Sequence, residues 1–308
     1  MARGSRSKPR TSRTAFSIDL PKALPAERDG DGWWMRVDRR KLRLSNLNKV
    51  FWPDEGYTKG DLLAYYYNVA DFILPFLAER PLTMKRMPNG VTGDFFYEKN
   101  APSHTPDWML RCNVEGDEDE KLIDYLMVKD LAGLLFVANL GCIEFHPLHS
   151  RCASVRSPDY LFFDLDPFEP ATFNDVRTVA LHVRAALDAL GLPSYPKTSG
   201  ATGMQIYVPL KAGFTYRQAR NFVGTVGRAI ARADPKRVTM EWDISKRSGK
   251  VFIDHNMNRR GANIAAVYSL RPEAGAPAST PVTWNEVEAG VEPRDFTIES
   301  IHARLAER

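Results

Sequence analysis

The sequence of 308 residues lacks any long apolar run. Its richest uncharged apolar stretch covers residues 131–143 and ends at Glu144, whereas a membrane-spanning helix needs about 18 or more such residues. We therefore expect no transmembrane segment. Cysteine is also scarce, since Cys112, Cys142 and Cys152 are the only three. They cannot form the disulfide framework of a small secreted domain, so a reducing cytoplasm is the expected compartment.

A large excess of one charge is absent as well. The 42 basic and 38 acidic residues leave a net charge of +4, so the distribution of charge is more informative than its sum. Five basic residues precede the first acid, Asp19, among Ser, Thr and Pro: Arg3, Arg6, Lys8, Arg10 and Arg13. Such a segment buries too little apolar surface to offset the entropy of ordering. We expect a disordered basic tail over residues 1–17, either simply solvated or in contact with nucleic-acid phosphates.

The remaining pattern, with 44% hydrophobic residues, fits one large domain or two packed lobes. Helical spacing predicts helices at 58–73, 130–140, 172–190 and 216–233, with short helices up to residue 305. Strands are predicted at 33–44, 82–86, 95–99, 143–146, 160–165, 194–197, 204–210, 251–255 and 265–270. This order predicts an α+β (mixed α/β) fold with mixed sheets and flanking helices. We expect one catalytic domain over 18–308, with an N-terminal lobe over about 18–155 and a motif-bearing lobe over about 156–308.

Two carboxylates are expected on one face of a buried strand. Asp164 and Asp166 flank Leu165, and successive side chains of a strand point to opposite faces. They are either turn formers or ligands of a hard divalent cation such as Mg²⁺ or Mn²⁺, which would relieve their repulsion. Asp254 also ends an apolar strand, unless it is a surface turn residue. Three such carboxylates can hold two metal ions for in-line phosphoryl transfer.

Residues 197–203 form a small polar turn between two predicted strands. Ser199 and Thr202 offer hydroxyl donors, and Gly200 allows backbone amides to approach an anion. The turn therefore suits a triphosphate, although it does not match the P-loop pattern and is by default only a hairpin.

These segments together resemble the polymerase domain of bacterial ligase D, in the archaeo-eukaryotic primase superfamily. The motifs are Leu161-Phe-Phe-Asp-Leu-Asp-Pro167, Lys197-Thr-Ser-Gly200 with Tyr207-Val-Pro209, and Lys250-Val-Phe-Ile-Asp254 with Tyr268-Ser-Leu-Arg271. Four more segments fit in order: Asn46-Leu-Asn-Lys-Val-Phe-Trp-Pro53, Tyr57-Thr-Lys-Gly-Asp61, Arg80-Pro-Leu-Thr-Met-Lys-Arg86 and Gly141-Cys-Ile-Glu-Phe-His-Pro147. The likeness covers residues 42–305.

The resemblance implies a primase-like catalytic core and a template-directed nucleotidyltransferase that extends primers and fills short gaps in DNA repair. It implies NTP and dNTP substrates with a preference for ribonucleotides, and two Mn²⁺ or Mg²⁺ ions held by Asp164, Asp166 and Asp254. The implied partners are gapped or broken DNA with a 5′-phosphate, an ATP-dependent DNA ligase and the end-binding protein Ku. We expect a monomer at the nucleoid.

The resemblance also assigns residues to DNA and nucleotide. The positions implied to contact DNA are Asn46, Lys49, Lys59, Lys85, Phe95 and Phe96. The positions implied to bind nucleotide are His146, Ser199, Gly200, Thr202, Gln205, Lys246, Lys250 and Arg271. Lys49 and Lys59 would hold the 5′-phosphate, and the two phenylalanines would stack on the template. Lysine is a compact phosphate-binding charge and rings stack on any base, but without the resemblance these would be surface lysines and core rings.

The chain also departs from the family pattern. Ligase D polymerases usually read Ser-Gly-Ser-Lys-Gly-Leu-His where this sequence has Ser199-Gly-Ala-Thr-Gly-Met-Gln205, and Met257 replaces an expected polar residue. A lysine and a histidine are thus replaced by uncharged side chains, so nucleotide binding should be weaker or differently arranged. With no ligase or nuclease segment present, we expect a stand-alone relative that works beside a separate ligase.

Three alternatives stay open. Cys142, His146, His149 and Cys152 have ligand types that zinc accepts, although no CxxC pair is present. The chain could instead be a DNA-end or gap-binding module that has lost nucleotide transfer. It could also be another metal-dependent phosphate enzyme, such as a nuclease.

Overall fold

The computed structural model describes residues 22–30, 32–116 and 122–307. The expected tail and most of the acidic loop at 115–120 lie outside these ranges. The strands are β1 (Glu27–Asp29), β2 (Gly32–Val37), β3 (Arg40–Leu44), β4 (Val50–Trp52), β5 (Tyr57–Thr58), β6 (Leu82–Arg86), β7 (Phe96–Glu98), β8 (Leu110–Glu115), β9 (Leu122–Met127), β10 (Cys142–Pro147), β11 (Tyr160–Pro167), β12 (Tyr195–Thr198), β13 (Met204–Pro209), β14 (Val238–Thr239) and β15 (Val251–Ile253). The α-helices are α1 (Lys59–Asn68), α2 (Ala70–Leu77), α3 (Leu131–Asn139), α4 (Phe173–Ala189), α5 (Tyr216–Ala233), α6 (Trp284–Ala289) and α7 (Ile301–Ala306).

The N-terminal half contains two larger sheets and a small one. Strands β1, β2 and β3 form an antiparallel meander, and β4 pairs with β5. The second larger sheet has the order β10–β6–β9–β8, with β7 also paired to β6. In this sheet Glu144 of β10 lies opposite Lys85 of β6, whose other neighbour is Tyr97 of β7. The register therefore brings an acid, a base and an aromatic residue into one row.

The C-terminal half contains a five-stranded sheet of order β12–β13–β11–β15–β14, which we call the catalytic sheet. Its strands are antiparallel except for the parallel pair β14 and β15. Helices α4 and α5 pack against one face, where Leu161, Phe163 and Leu165 are buried. Because side chains alternate along a strand, Asp164 and Asp166 point to the face without these helices.

Several expected elements are confirmed. Helix α1 begins at the predicted cap, because the Thr58 side chain accepts from the Asp61 backbone while Asp61 accepts from Thr58. The bounds of α5 are those predicted from its hydrophobic spacing, and α4 begins after Thr172. The mixed α+β fold class is confirmed. No helix in the described ranges is long and apolar enough to cross a bilayer.

Several elements differ from the prediction. The helix expected at 58–73 is interrupted at Val69, next to Asn68, whose side-chain amide donates to the backbone oxygens of Lys22 and Ala64. Residues 265–270 are not a strand, because Tyr268 has a left-handed backbone (φ 63°) that breaks an extended run. Strands β8 and β9 were not predicted. Leu126 packs into the main core, but their other packed side chains form a small separate cluster around Tyr125, so the apolar signal is weak.

The cysteines also differ from expectation. Cys112 on β8 and Cys152 form a disulfide, with Cα atoms 6.0 Å apart, and Cys142 is free and buried. The zinc alternative is therefore wrong, because the sulfur of Cys152 is already bonded. His149 is also fully buried, with its ring packed edge-on against the Phe162 ring.

Candidate active site and nucleic-acid interface

Three carboxylates meet at the centre of the catalytic sheet. Asp164 and Asp166 lie on β11, and Asp254 follows β15 directly. The backbone N–H of Asp254 donates to the carbonyl oxygen of Asp164 at 3.0 Å, so the pairing of β15 with β11 continues through this residue. Antiparallel pairing thus brings together residues that are 90 positions apart in the sequence.

The charges of these carboxylates oppose one another. Burial, followed by the nearby charges of Asp166 and Asp254, raises the pKa of Asp164 well above its usual range. Burial and Asp254 likewise raise the pKa of Asp166 to about 6. Groups that resist ionisation in the protein alone are stabilised as anions by a cation. The donor set, made only of carboxylate oxygens, is one that Mg²⁺ and Mn²⁺ accept.

The carboxylates do not form a closed metal site in the part of the chain that the structure describes. No group of three His, Cys, Asp or Glu side chains there has the arrangement of a metal centre. The mutual repulsion that raises the two pKa values also favours separation of the oxygens. The three carboxylates fit divalent cations by the chemistry of their oxygens and because they lie on one face of the sheet. They do not fit by an arrangement that is already closed around an ion.

A row of polar side chains extends from the carboxylates across the sheet. Gln205 lies opposite Asp164 on β13 and donates from Nε2 to Asp164 Oδ1 at 2.9 Å. Lys197 lies opposite Gln205 on β12 and is buried, with Nζ donating to the Ser279 hydroxyl and to the Ala265 carbonyl at 3.3 Å. Burial lowers the pKa of Lys197 to about 7. Gln205, predicted to bind nucleotide, is thus held by a carboxylate.

The turn after β12 brings backbone amides next to the carboxylates. Ser199 Oγ accepts from the N–H groups of Ala201 and Gly203, both at 3.0 Å, which leaves its hydroxyl hydrogen free to donate. A Cβ on Gly203 would lie 2.4 Å from the carbonyl oxygen of Leu165. Gly200 has φ 74°, and a Cβ there would lie 2.8 Å from Arg271 Cγ. Both glycines are therefore required by close approach of the backbone.

Arg271 connects this turn to the second sheet. Its Nη1 donates to the carbonyl oxygen of Ser199 at 3.1 Å, and its Nε lies 3.2 Å from Oε2 of Glu144. Glu144 also accepts from Lys85 Nζ at 2.5 Å and bonds His146 Nε2 at 2.9 Å. Burial opposes its ionisation, but the contacts with His146, Arg271 and Lys85 lower its pKa to about 2.

Glu144 was not predicted as a site residue. Its signal was a single acid within the otherwise apolar strand Cys142–Pro147, every residue of which is buried. Lone acids are almost never fully buried without a partner. His146, which was predicted to bind nucleotide, lies near Arg271 because both contact Glu144. Its Nδ1 is buried and has no hydrogen-bond partner within the described residues.

A basic cleft of about 550 Å³ lies on the other side of β6 and is lined by Asn46, Lys49, Lys59 and Arg86, among others. Lys59 is buried and donates from Nζ to Ser45 Oγ at 3.1 Å. Burial, with the charges of Lys49 and Arg86, lowers the pKa of Lys59 to about 8. Lys49 Nζ donates to the Pro88 carbonyl at 2.8 Å. Positive charges held this close together repel one another, and a bound anion would relieve that repulsion.

Exposed rings lie between the cleft and the carboxylates. Phe95 and Phe96 are 54% and 43% exposed, so they are not core residues. Lys85 Nζ lies 4.8 Å from the ring centre of Phe95, and the Arg86 guanidinium 5.1 Å from that of Phe96. We call these two residues the aromatic platform. Exposed rings with adjacent cations can stack on bases while the cations contact phosphates.

Of three further predicted nucleotide ligands, two lie apart from this group and one lies on the turn itself. Lys246 is exposed and lies 3.7 Å from Glu241, and Lys250 donates to the Pro235 carbonyl at 2.8 Å beyond the end of α5. Thr202 is exposed at the tip of the turn. Residues 199–203 of the turn therefore carry no cationic side chain, and Arg271 contacts the turn from outside it.

Comparison with known proteins gives the class. A family model described as LigD, primase-polymerase domain matches residues 58–308, and such domains are DNA nucleotidyltransferases. The chain belongs to the LigD primase-polymerase domain family. It is 34% identical over 276 residues to the multifunctional non-homologous end joining protein LigD of Mycolicibacterium smegmatis, covering 89% of this chain and 36% of that protein.

Two further proteins agree. The bifunctional non-homologous end joining protein LigD of Bacillus subtilis is 31% identical over 266 residues, covering 86% of this chain and 42% of that protein. The chain thus spans less than half the length of these two relatives. The solved polymerase domain from Mycobacterium tuberculosis ligase D in complex with DNA superposes with a TM-score of 0.81 at 31% identity, covering 86% of this chain and 94% of that one.

Proposed function

We propose that the protein is a template-directed polymerase that extends primers and fills short gaps during DNA repair, with a preference for ribonucleotides. The observation that carries this proposal is the meeting of Asp164, Asp166 and Asp254 on one sheet face beside the Ser199 turn. Membership of the LigD primase-polymerase family supports the same chemistry.

The three carboxylates are the proposed ligands of two divalent cations, Mn²⁺ or Mg²⁺. When bound, such ions would help ionise a primer hydroxyl and stabilise charge on leaving pyrophosphate. Gln205 holds Asp164 by a hydrogen bond that leaves Oδ2 free of this contact. The protein thereby orients one ligand before any ion binds.

The incoming nucleotide would lie against the turn and against Arg271, which contacts the turn. The Ser199 hydroxyl can donate to a phosphate oxygen because its own acceptor capacity is used inside the turn. Arg271 supplies positive charge where the triphosphate becomes pyrophosphate. Among the described residues no hydrogen bond involves its Nη2 atom, so that donor is available. His146, close to Arg271, would face the nucleotide.

The DNA would lie across the aromatic platform, with its downstream end in the basic cleft. Lys49 and Lys59 are the proposed partners of a 5′-phosphate, supported by their shared cleft and by the lowered pKa of Lys59. The platform would stack on template bases without reading their sequence. By analogy with the names of its relatives, we propose that the protein acts in non-homologous end joining at the nucleoid with Ku and an ATP-dependent ligase.

A second function is favoured by the turn. Thr202 and Gln205 leave it without a charged side chain, so a DNA-end or gap-binding module with weakened nucleotide transfer is the alternative. The basic cleft and the platform would serve such a module equally well. A nuclease would use the same carboxylates but would shorten the primer.

Primer extension separates these functions. A gapped duplex with a 5′-phosphate is incubated with Mn²⁺ and NTPs, then with dNTPs, using the protein and its Asp164→Ala variant. Extension by the unmodified protein, greater with NTPs and lost in the variant, supports the proposal. Extension that survives the substitution contradicts the assigned ligands. Tight binding without extension supports the module, and primer shortening supports a nuclease.

A further inference from the structure

The Glu144 side chain joins the two halves of the site. It lies on β10, its partner Lys85 lies on β6, and Arg271 comes from the C-terminal segment that packs on the catalytic sheet. Its side chain is only 1% exposed. A carboxylate buried to this extent is stable only if its charge is balanced and its oxygens are hydrogen-bonded.

The contacts of Glu144 also define the state of His146. A carboxylate oxygen can only accept, so the 2.9 Å contact with His146 requires the proton on Nε2. The buried Nδ1 is then an acceptor without a partner within the described residues. A neutral amide at position 144 could either donate or accept, and would no longer fix this arrangement.

The two cations at Glu144 have separate functions in the proposed reaction. Arg271 reaches the Ser199 turn, and Lys85 lies against the Phe95 ring of the aromatic platform. Without the negative charge between them, these two partly buried cations would repel. Arg271 would reduce this repulsion by turning away from the Ser199 carbonyl, because that contact is its one hydrogen bond among the described residues.

We propose that Glu144 is a positioning residue whose charge holds Arg271 against the nucleotide turn and fixes the orientation of His146. This inference rests on the proposed function, because it assigns those two groups to the incoming nucleotide. Glu144 itself does not touch the nucleotide. Its effect should therefore appear in nucleotide affinity more than in DNA affinity.

The test is steady-state extension of the gapped duplex by Glu144→Gln, Glu144→Asp and the control Asp159→Asn. Asp159 also contacts two cations, Arg80 at 2.6 Å and Arg151 at 3.1 Å, but its side chain is 32% exposed and it lies outside the nucleotide site. We expect Glu144→Gln to raise the KM for NTP about tenfold, as loss of supporting contacts commonly does, with a smaller change in kcat and unchanged DNA binding. Glu144→Asp, which keeps the charge, should lie nearer to the unmodified protein, and Asp159→Asn should leave KM unchanged.

Three results would overturn the inference. The first is an unchanged KM in Glu144→Gln with a lowered melting temperature, which would indicate a structural role only. The second is a decreased KM, which would mean that Glu144 merely repels the triphosphate. The third is an equal change in the KM for NTP in Glu144→Gln and Glu144→Asp. If the unmodified protein extends no primer, the proposed function fails, and the same variants are compared by equilibrium binding of Mn²⁺ with ATP, where the same order of affinities is required.

Discussion

Gln205 donates a hydrogen bond to Asp164 from the neighbouring strand, at 2.9 Å between Nε2 and Oδ1. The contact keeps Asp164 in place although burial and two nearby acids disfavour its charge. Gln205 Oε1 is buried and has no hydrogen-bond partner within the described residues. Asp164, whose charged form is destabilised, is therefore held by the neutral side-chain amide of Gln205, and the charge of this amide does not change with pH.

We expect Asp164→Asn to abolish extension and to stabilise the protein without metal. A carboxyl with a raised pKa binds protons more readily when folded, so the fold loses stability as pH rises through the range between the unfolded and folded values. Removing that charge should increase the free energy of unfolding at pH 7. Thermal melts in EDTA provide the measurement, with exposed Asp188→Asn on α4 as control. A lower melting temperature in EDTA for Asp164→Asn would contradict this account.

We expect Mn²⁺ affinity to fall as pH decreases through about 6. The pKa of Asp166 is near 6 in the protein alone, so below it a proton competes with the cation. Binding near pH 6 should release protons. Free Mn²⁺ measured by electron paramagnetic resonance between pH 5 and pH 8 tests this. The same pH profile in Asp166→Asn would show that another group is responsible.

The sequence predicted local features of the site well and long-range ones poorly. Alternation along β11 was enough to place Asp164 and Asp166 on one face, and hydrophobic spacing was enough for α5. The resemblance identified Arg271, but nothing local indicated that it reaches Glu144, since that contact joins residues 127 positions apart. For Lys246 and Lys250 the error is the opposite one. They are close to Asp254 in the sequence, but they do not lie at the turn.

The aromatic residues illustrate the same limit. A run such as Phe95-Phe96-Tyr97 has the apolar content of a buried strand, and hydrophobicity alone predicts core. The structure exposes all three because β7 is a short strand at the side of β6. Exposure depends on sheet order, which local pattern does not contain.

We expect Thr202→Lys to lower the KM for NTP about threefold to tenfold. Thr202 is exposed at the tip of the turn, so a lysine fits without repacking and adds a cation near the triphosphate. The gain should shrink at high salt, because an exposed charge is screened. Steady-state extension at two salt concentrations measures this change in KM. The control is Lys211→Thr, a substitution in the segment that follows β13. An unchanged KM at low salt would mean that the triphosphate does not approach this turn.

Preference for a 5′-phosphate should weaken as pH rises from 7 to 9, because the pKa of Lys59 is about 8. Its charged fraction falls about tenfold over this range, and phosphate affinity should fall in proportion. Stability should change in the opposite direction, since a lysine with a lowered pKa in the folded protein makes the fold more stable as pH rises through that value.

Fluorescence anisotropy with 5′-phosphate and 5′-hydroxyl duplexes measures the preference. Lys59→Met should remove its pH dependence, whereas Lys41→Met, an exposed lysine over Trp34, should not. A pH-independent preference in the unmodified protein would exclude Lys59 as the phosphate ligand.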